Sequence, residues 1–352
     1  MAGLLAALAF FAAARADDIP SYQVLGCEKD CPPVKSATAL SVPDPVFPGP
    51  MTDQEGNFIE AMVDVDFTVA TDGSVKDVEV ENLLGDRKFA DAAIYAVGRR
   101  RYAPAMEGDK PVEENHRARF IFGEPHKGAR RQIINEYGSA VRAATGGDVA
   151  GALKQLGVIA ARTGLNLYER TMVALAQSQC YARIGDYAAA RDAIRVATIN
   201  EGAYLARDGV EPALRERIRL EAASGDFAES FAWFEILRAK GYVAADDSDE
   251  KLVAALHDKV AGTGALITPG AIPPSGTVAM WQHVLLRRSF EFHGVSGKLD
   301  HFLMHCDRHS ILSPVSDTAD WTVPASWSGC YINVRGAPGA RFQFVELPPA
   351  KP

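Results

Sequence analysis

The chain has 352 residues, 47% of them hydrophobic and 23% charged. Those proportions fit a soluble globular protein of two or three domains and exclude a disordered or polytopic membrane chain. Lys and Arg number 37 against 45 Asp and Glu, a net charge of −8, so binding of nucleic acid by phosphate neutralisation is not expected.

Gly3 to Ala14 is an unbroken apolar run of twelve residues. A helix that spans a bilayer needs about 20. The run instead suits the hydrophobic region of a secretory signal, and Ala14-Arg15-Ala16 is a small-x-small cleavage site. Residues 1–16 are read as a signal peptide, so the protein is expected to be exported and to keep no stable membrane insertion after cleavage. No Lys or Arg precedes Gly3, which leaves open a start further upstream.

In an oxidising compartment, neighbouring cysteines tend to be bridged. Cys27 and Cys31 are read as one disulfide. A metal or redox pair fits less well, because the spacing is C-x3-C and no other ligands cluster nearby. Cys306 and Cys330 lie in a strand-rich segment and are read as a second bridge. Cys180, among helix formers, is left over as a buried thiol. Residues 17–43 form an N-terminal segment with the first cysteine pair. Its Pro-rich part runs on through Pro43, Pro45, Pro48 and Pro50 and favours extended chain.

From Glu60 the hydrophobic period is two. Val63, Val65, Phe67 and Val69 alternate with Asp64, Asp66 and Thr68, the pattern of a strand with one wet face. Thr71-Asp72-Gly73 is a turn, and Ser74 to Glu81 completes a hairpin. Phe89, Ala92, Ala93, Ala96 and Val97 then fall on one helical face, with Asp86 as N-cap. A third strand over Glu114 to Phe122 gives the order β-β-α-β.

Residues 44–124 resemble the TonB C-terminal domain. The resemblance is carried by Val63-Asp64-Val65-Asp66-Phe67-Thr68-Val69, by Asp72-Gly73-Ser74-Val75, and by Arg101-Tyr102-Ala103-Pro104-Ala105 with Gly108-Asp109-Lys110-Pro111-Val112. Asp109 is inserted relative to the usual Gly-Lys-Pro-Val turn. In that family the domain contacts outer-membrane receptors, and its last strand accepts an extended segment. The resemblance therefore implies a periplasmic protein whose partner is a protein or peptide, an outer-membrane receptor or another envelope protein. The implied edge strand carries Glu114, His116, Arg117, Arg119 and Phe120. Charges along it are equally able to blunt the edge.

Over 130–260 the pattern is helical. Gly147-Asp148, Gly185-Asp186 and Gly225-Asp226 recur 38 and 40 residues apart, each followed by an apolar residue and Ala. In each, Gly would end one helix in a left-handed turn and Asp would cap the next. Stacked hairpins of this kind are similar to tetratricopeptide repeats. Residues 261–276, rich in Gly and Pro, read as a linker. Residues 277–352 read as a small β-rich domain, where a Cys306–Cys330 bridge would add about 2–4 kcal/mol. Cys330 to Val334 and Arg341 to Val345 read as a hairpin.

His301, His305 and His309 are four apart, which on a helix would suit zinc. On a strand, Phe302, Met304 and Cys306 face inward and His301 and His305 face solvent, and this reading is preferred. The tryptophans Trp281, Trp321 and Trp327 are read as core. Signatures of nucleotide loops, metalloproteases and nucleophile elbows are missing from the sequence. The expectation is an α+β multidomain protein: a TonB-like module, a helical-hairpin repeat array and a β-rich domain. It is expected to act as an interaction scaffold or adaptor in envelope transport, with no enzymatic activity, cofactor or metal. Two alternatives are an energy transducer with an anchor lost upstream and an envelope enzyme using the His-rich domain.

Overall fold

The computed structural model describes residues 16–18, 25–29, 33–53, 56–244, 247–273, 280–316 and 319–348. Of the expected leader only Ala16 falls among them, and Cys31 lies outside them.

Among the described residues the first elements are three short strands, β1 (Ala16–Asp18), β2 (Val34–Lys35) and β3 (Thr38–Ser41). The expected hairpin follows as β4 (Ala61–Val69) and β5 (Val75–Leu84). Helix α1 (Arg87–Gly98) starts where Asp86 accepts a hydrogen bond from the Lys88 amide. Short strands β6 (Arg101–Ala103), β7 (Ala105–Glu107) and β8 (Lys110–Val112) lead into β9 (Glu114–Phe122). The main sheet has the order β1-β9-β4-β5 and is antiparallel throughout. Val63, Val65, Phe67, Phe120 and Phe122 pack against Phe89, Ala93 and Val97 of α1. The period-two pattern is real on that side. The opposite side is not wet: every residue of β4 is buried, Asp64 and Asp66 included.

Six helices follow as three pairs: α2 (Arg131–Thr145) with α3 (Val149–Ala160), α4 (Leu167–Arg183) with α5 (Tyr187–Ala197), and α6 (Arg207–Ala223) with α7 (Phe227–Ala239). Each pair is joined at a Gly-Asp turn. Gly147, Gly185 and Gly225 take φ of +95°, +79° and +82°, the left-handed region that strains any residue with a Cβ. Asp148, Asp186 and Asp226 accept from the amides of Gly151, Ala189 and Glu229 and so cap the second helix of each pair. Helix α8 (Ser248–Ala261) packs on α6 and α7. Cys180 is a buried free thiol within α4.

The remaining strands are β10 (Leu266–Ala271), β11 (Met280–Val284), β12 (Ser289–Ser296), β13 (Leu299–Cys306), β14 (His309–Ser313), β15 (Trp321–Thr322), β16 (Tyr331–Gly336) and β17 (Arg341–Glu346). They form two four-stranded sheets, β10-β17-β12-β15 and β11-β16-β13-β14. Phe290, Phe292 and Phe344 from one sheet meet Trp281, Phe302 and Ile332 from the other in a shared core. The Cys306–Cys330 disulfide, S–S 2.04 Å, lies in it. Leu25 reaches this core from the N-terminal segment, and Cys27 is disulfide-bonded.

Three expectations for this region change. Residues 266–271 are not linker but an edge strand, paired with β17 from Leu266 to Ala271. Pro269 obscures this in sequence, yet an edge strand tolerates a missing N–H. Tyr331–Gly336 and Arg341–Glu346 are not a hairpin, because the turn at Gly339 carries the chain from one sheet to the other. His305 does not face solvent and is 1% exposed, because the outer side of its sheet is covered by the first sheet of the chain. Phe302, Met304 and Cys306 do point inward, as the strand pattern requires.

Candidate functional site

Strand β9 carries the sequence-predicted partner residues, and the structure sends them in different directions. Phe120 is fully buried in the core under α1. Glu114 accepts from the Ala37 amide at 2.8 Å and lies 2.8 Å from His116 Nε2. Burial would raise the Glu114 carboxyl, but these hydrogen bonds outweigh it and hold it below its ordinary value. His116 stacks on Phe67 with centroids 5.7 Å apart. Arg117 and Arg119 turn to the other face of the sheet.

The backbone of β9 is also not the open edge that sequence suggests. Beyond it lies β1, paired at Ala16 with Phe120, Asp17 with Arg119 and Asp18 with Ala118. Nearer its start, the Asn115 amide donates to Asp307 O at 3.0 Å, and the Asn115 side chain donates to Cys306 O. The N-terminal segment and the β-rich domain therefore share this edge. Sequence periodicity cannot reveal pairing with segments so distant in the chain.

The polar face of the sheet is a junction. Arg119 donates to Asp64 at 2.7 and 2.9 Å and to Asn200, in the turn after α5, at 2.8 Å. Tyr331 donates to Asp66 at 2.9 Å, and Asn333 and Arg335 each donate to Glu79 at 3.0 Å. Burial first, then the negative charge of Asp66, lifts the Tyr331 hydroxyl well above its usual range. Both helices and β-rich domain thus close on the sheet through charge-assisted hydrogen bonds.

Between the three lies a cleft of about 420 Å³. The sheet contributes Asp64, Glu81, Asn82, Arg117 and Arg119. The helices contribute Arg195, Arg217, Glu229 and Trp233, and β11 contributes Gln282 and His283. Arg217 lies over the Trp233 ring at 3.9 Å, and Trp233 Nε1 donates to Glu229 at 2.9 Å. Burial lifts the Glu81 carboxyl well above its usual range, against the opposing charge of Arg117. Burial acts the same way on Glu229, but Arg217 and Arg195 outweigh it and hold that carboxyl low. The cleft therefore holds two carboxyl groups pushed in opposite directions. Sequence reading missed all the helical members. Their trace in sequence is charged residues set among the apolar positions of α5, α6 and α7.

Residues 55–123 match the family model for the Gram-negative bacterial TonB protein C-terminal. They are similar to that family. A solved structure, the solution NMR structure of the Pseudomonas aeruginosa TonB C-terminal domain, is 27% identical and covers 30% of this chain and 98% of that chain, with a TM-score of 0.23. No curated protein matches the chain. The match runs from before β4 to just after β9, so it supplies the sheet side of the cleft and none of the helical or β11 side. The TonB-like module is partly embedded: its own helix α1 covers one face of β4, and the β-rich domain and the helical region cover the other.

Proposed function

We propose that this chain is an exported adaptor of the bacterial envelope, a non-enzymatic scaffold that presents a TonB-like module to a protein or peptide partner in transport. The match of residues 55–123 to the TonB C-terminal family carries this reading. The three helical pairs with their Gly-Asp turns support it, since tetratricopeptide-like arrays are interaction scaffolds by construction. In this reading residues 1–16 are a removed signal, 44–124 the module, 130–260 the array and 277–352 a β-rich domain that steadies both.

Recognition would occur by strand addition, in which a partner completes the N–H and C=O groups of an edge. The edge in question is β9, where Ala118 to Phe120 already pair with residues 16–18. Partner capture then competes with β1. Replacing both residues that remain after signal cleavage, Asp17→Pro with Asp18→Pro, removes two backbone donors from β1 and frees β9. The double variant, immobilised, is expected to capture envelope proteins from outer-membrane extract several-fold more strongly than the parent chain. Equal capture by both would refute docking at β9.

A further inference from the structure

The outer edges of the sheets are protected to different degrees. β5 carries Lys76, Asp77, Glu79 and Glu81 along its length, and β10 carries Pro269. Charges and proline at an edge discourage pairing with a further strand. β3 has neither. Its residues Thr38 to Ser41 are uncharged and exposed. It pairs with β6 alone, in a two-stranded sheet. Past that pairing, β3 makes no other backbone hydrogen bond among the described residues. Leu40 falls in a bulge between the Ala39–Tyr102 and Ser41–Arg101 pairs and is 70% exposed. A bulge can blunt an edge, but this one turns an apolar side chain to solvent rather than a charge.

The chain after β3 borders α1. Ser41 is across from Arg101, just past the end of the helix. Phe47 packs on Phe89 with centroids 5.4 Å apart, and a Cβ on Gly49 would lie 3.9 Å from Lys88 Nζ in the first turn. Residues 41–49 therefore run back along the helix as a strap. Val42 and Val46 on the strap are exposed, as are Ile94 and Tyr95 on the helix. Single exposed apolar residues mean little, but a group along one strap marks an interaction surface.

Charge near β3 has one sign, although the whole chain carries −8. Lys35 precedes the strand, and Arg99 and Arg101 flank its far end. All three are exposed, and none forms an ion pair with a described residue. Arg99 lies over the Tyr95 ring at 5.4 Å. Arg101 Nη1 donates to Arg100 O at 2.7 Å, which leaves its charge unanswered. Asp72 feels the Arg101 charge, but its Oδ1 accepts from the Ser74 amide at 2.8 Å and hydroxyl at 2.6 Å. The exposed acids Asp44 and Asp91 lie further back along the strap and the helix. A second copy of β3 offers no acid to meet these cations.

We propose that the outer edge of β3 binds an extended, acidic segment of a protein partner. The segment adds a strand to β3 through backbone hydrogen bonds. Its apolar residues lie on Leu40, Val42 and Tyr95, and its carboxylates meet Lys35, Arg99 and Arg101. β3 and β9 belong to different sheets, so this surface stands whether or not a partner docks at β9.

Two labelled peptides, blocked at both ends, isolate the charge: Glu-Val-Glu-Val-Glu-Val and Lys-Val-Lys-Val-Lys-Val. Fluorescence anisotropy on the intact chain is expected to show the acidic peptide binding at least tenfold tighter. The same peptide with N-methylated valines, which lacks backbone donors, is expected to bind at least tenfold more weakly. Arg99→Glu with Arg101→Glu is expected to reverse the preference between acidic and basic peptides. If that variant fails to fold by circular dichroism, Lys35→Glu decides, with a several-fold loss of the acidic peptide. Hydrogen exchange places the ligand: the acidic peptide is expected to slow amides within Thr38 to Val42 and leave Ala118 to Phe120 unchanged. Equal binding of the acidic and basic peptides, an unchanged preference in a folded variant, or protection at β9 in place of β3 would overturn the assignment. Binding to phosphatidylglycerol vesicles with neither peptide bound would overturn it as well, by giving the surface to lipid.

Discussion

At the scale of single residues, His283 shows how burial and charge compete. Its ring is 1% exposed, stacks on Trp281, and packs against Phe344. Nδ1 is 3.6 Å from Asp226 and Nε2 is 3.4 Å from Glu346, with neither nitrogen hydrogen-bonded. Burial opposes the imidazolium, but Glu346, Asp226 and more distant Glu229 outweigh it, and His283 is raised above its ordinary 6.5. A raised pKa means that folding takes up a proton. The contribution is complete below pH 6.5 and fades as pH rises through the folded-state value. His305 runs the opposite way: burial lowers it, so folding expels its proton and stability falls as pH drops below 6.5. Thermal midpoints measured from pH 5 to 9 should therefore pass through a maximum near neutrality. His283→Gln should make the alkaline limb shallower, with the raised Glu81 carboxyl supplying the rest, and cost about 1–3 kcal/mol at the acid side of it. A variant whose alkaline limb is unchanged in slope would show that His283 does not contribute to it.

At the scale of elements, the three Gly-Asp turns look alike in sequence and differ in surroundings. A Cβ on Gly147 or Gly185 would meet nothing within 4 Å, so an Ala there carries only the left-handed strain, about 1–2 kcal/mol. A Cβ on Gly225 would lie 2.7 Å from Ile267 O, in β10. Thr268 of the same strand donates to Gly225 O at 3.1 Å. Gly225→Ala should thus lose clearly more stability than Gly147→Ala or Gly185→Ala in urea unfolding, because β10 has to move. Equal losses would mean that the α6–α7 turn is not clamped by β10. The same pair of elements marks the limit of what sequence discloses. The turn chemistry, Asp caps, hairpin, α1 face and Cys306–Cys330 bridge are local or periodic, and all were legible. The strand nature of Leu266–Ala271 was hidden by Pro269 and Gly270. The polar faces of β4 and β13 read as wet because alternation reports chemistry, not what covers it. Asp64, Asp66 and His305 are polar and buried together, and only the packing of distant segments reveals that. The cleft falls in this blind spot, since its Arg and Glu residues come from two separate stretches of the chain, Glu81 to Arg119 and Arg195 to Glu229.

At the scale of the whole molecule, the junction makes the disulfide more than a local staple. Cys306 ends β13, and its carbonyl accepts from the Asn115 side chain at the start of β9. The next carbonyl, Asp307 O, accepts from the Asn115 amide at 3.0 Å. The bridge to Cys330 thus fixes the corner on which the TonB-like sheet rests. Nearby, Tyr331 donates to Asp66 across the same seam. Loss of the bridge should loosen the sandwich core and, through that corner, the hold on β9. The double variant Cys306→Ser with Cys330→Ser should be less stable by about 2–4 kcal/mol. Hydrogen exchange distinguishes a local effect from a transmitted one. If the junction couples the units, the Asn115 amide loses protection together with β13 and β14, while the buried middle of β4 keeps it. Unchanged protection at Asn115 in a variant whose β13 exchanges faster would mean that the sandwich and the TonB-like sheet open independently.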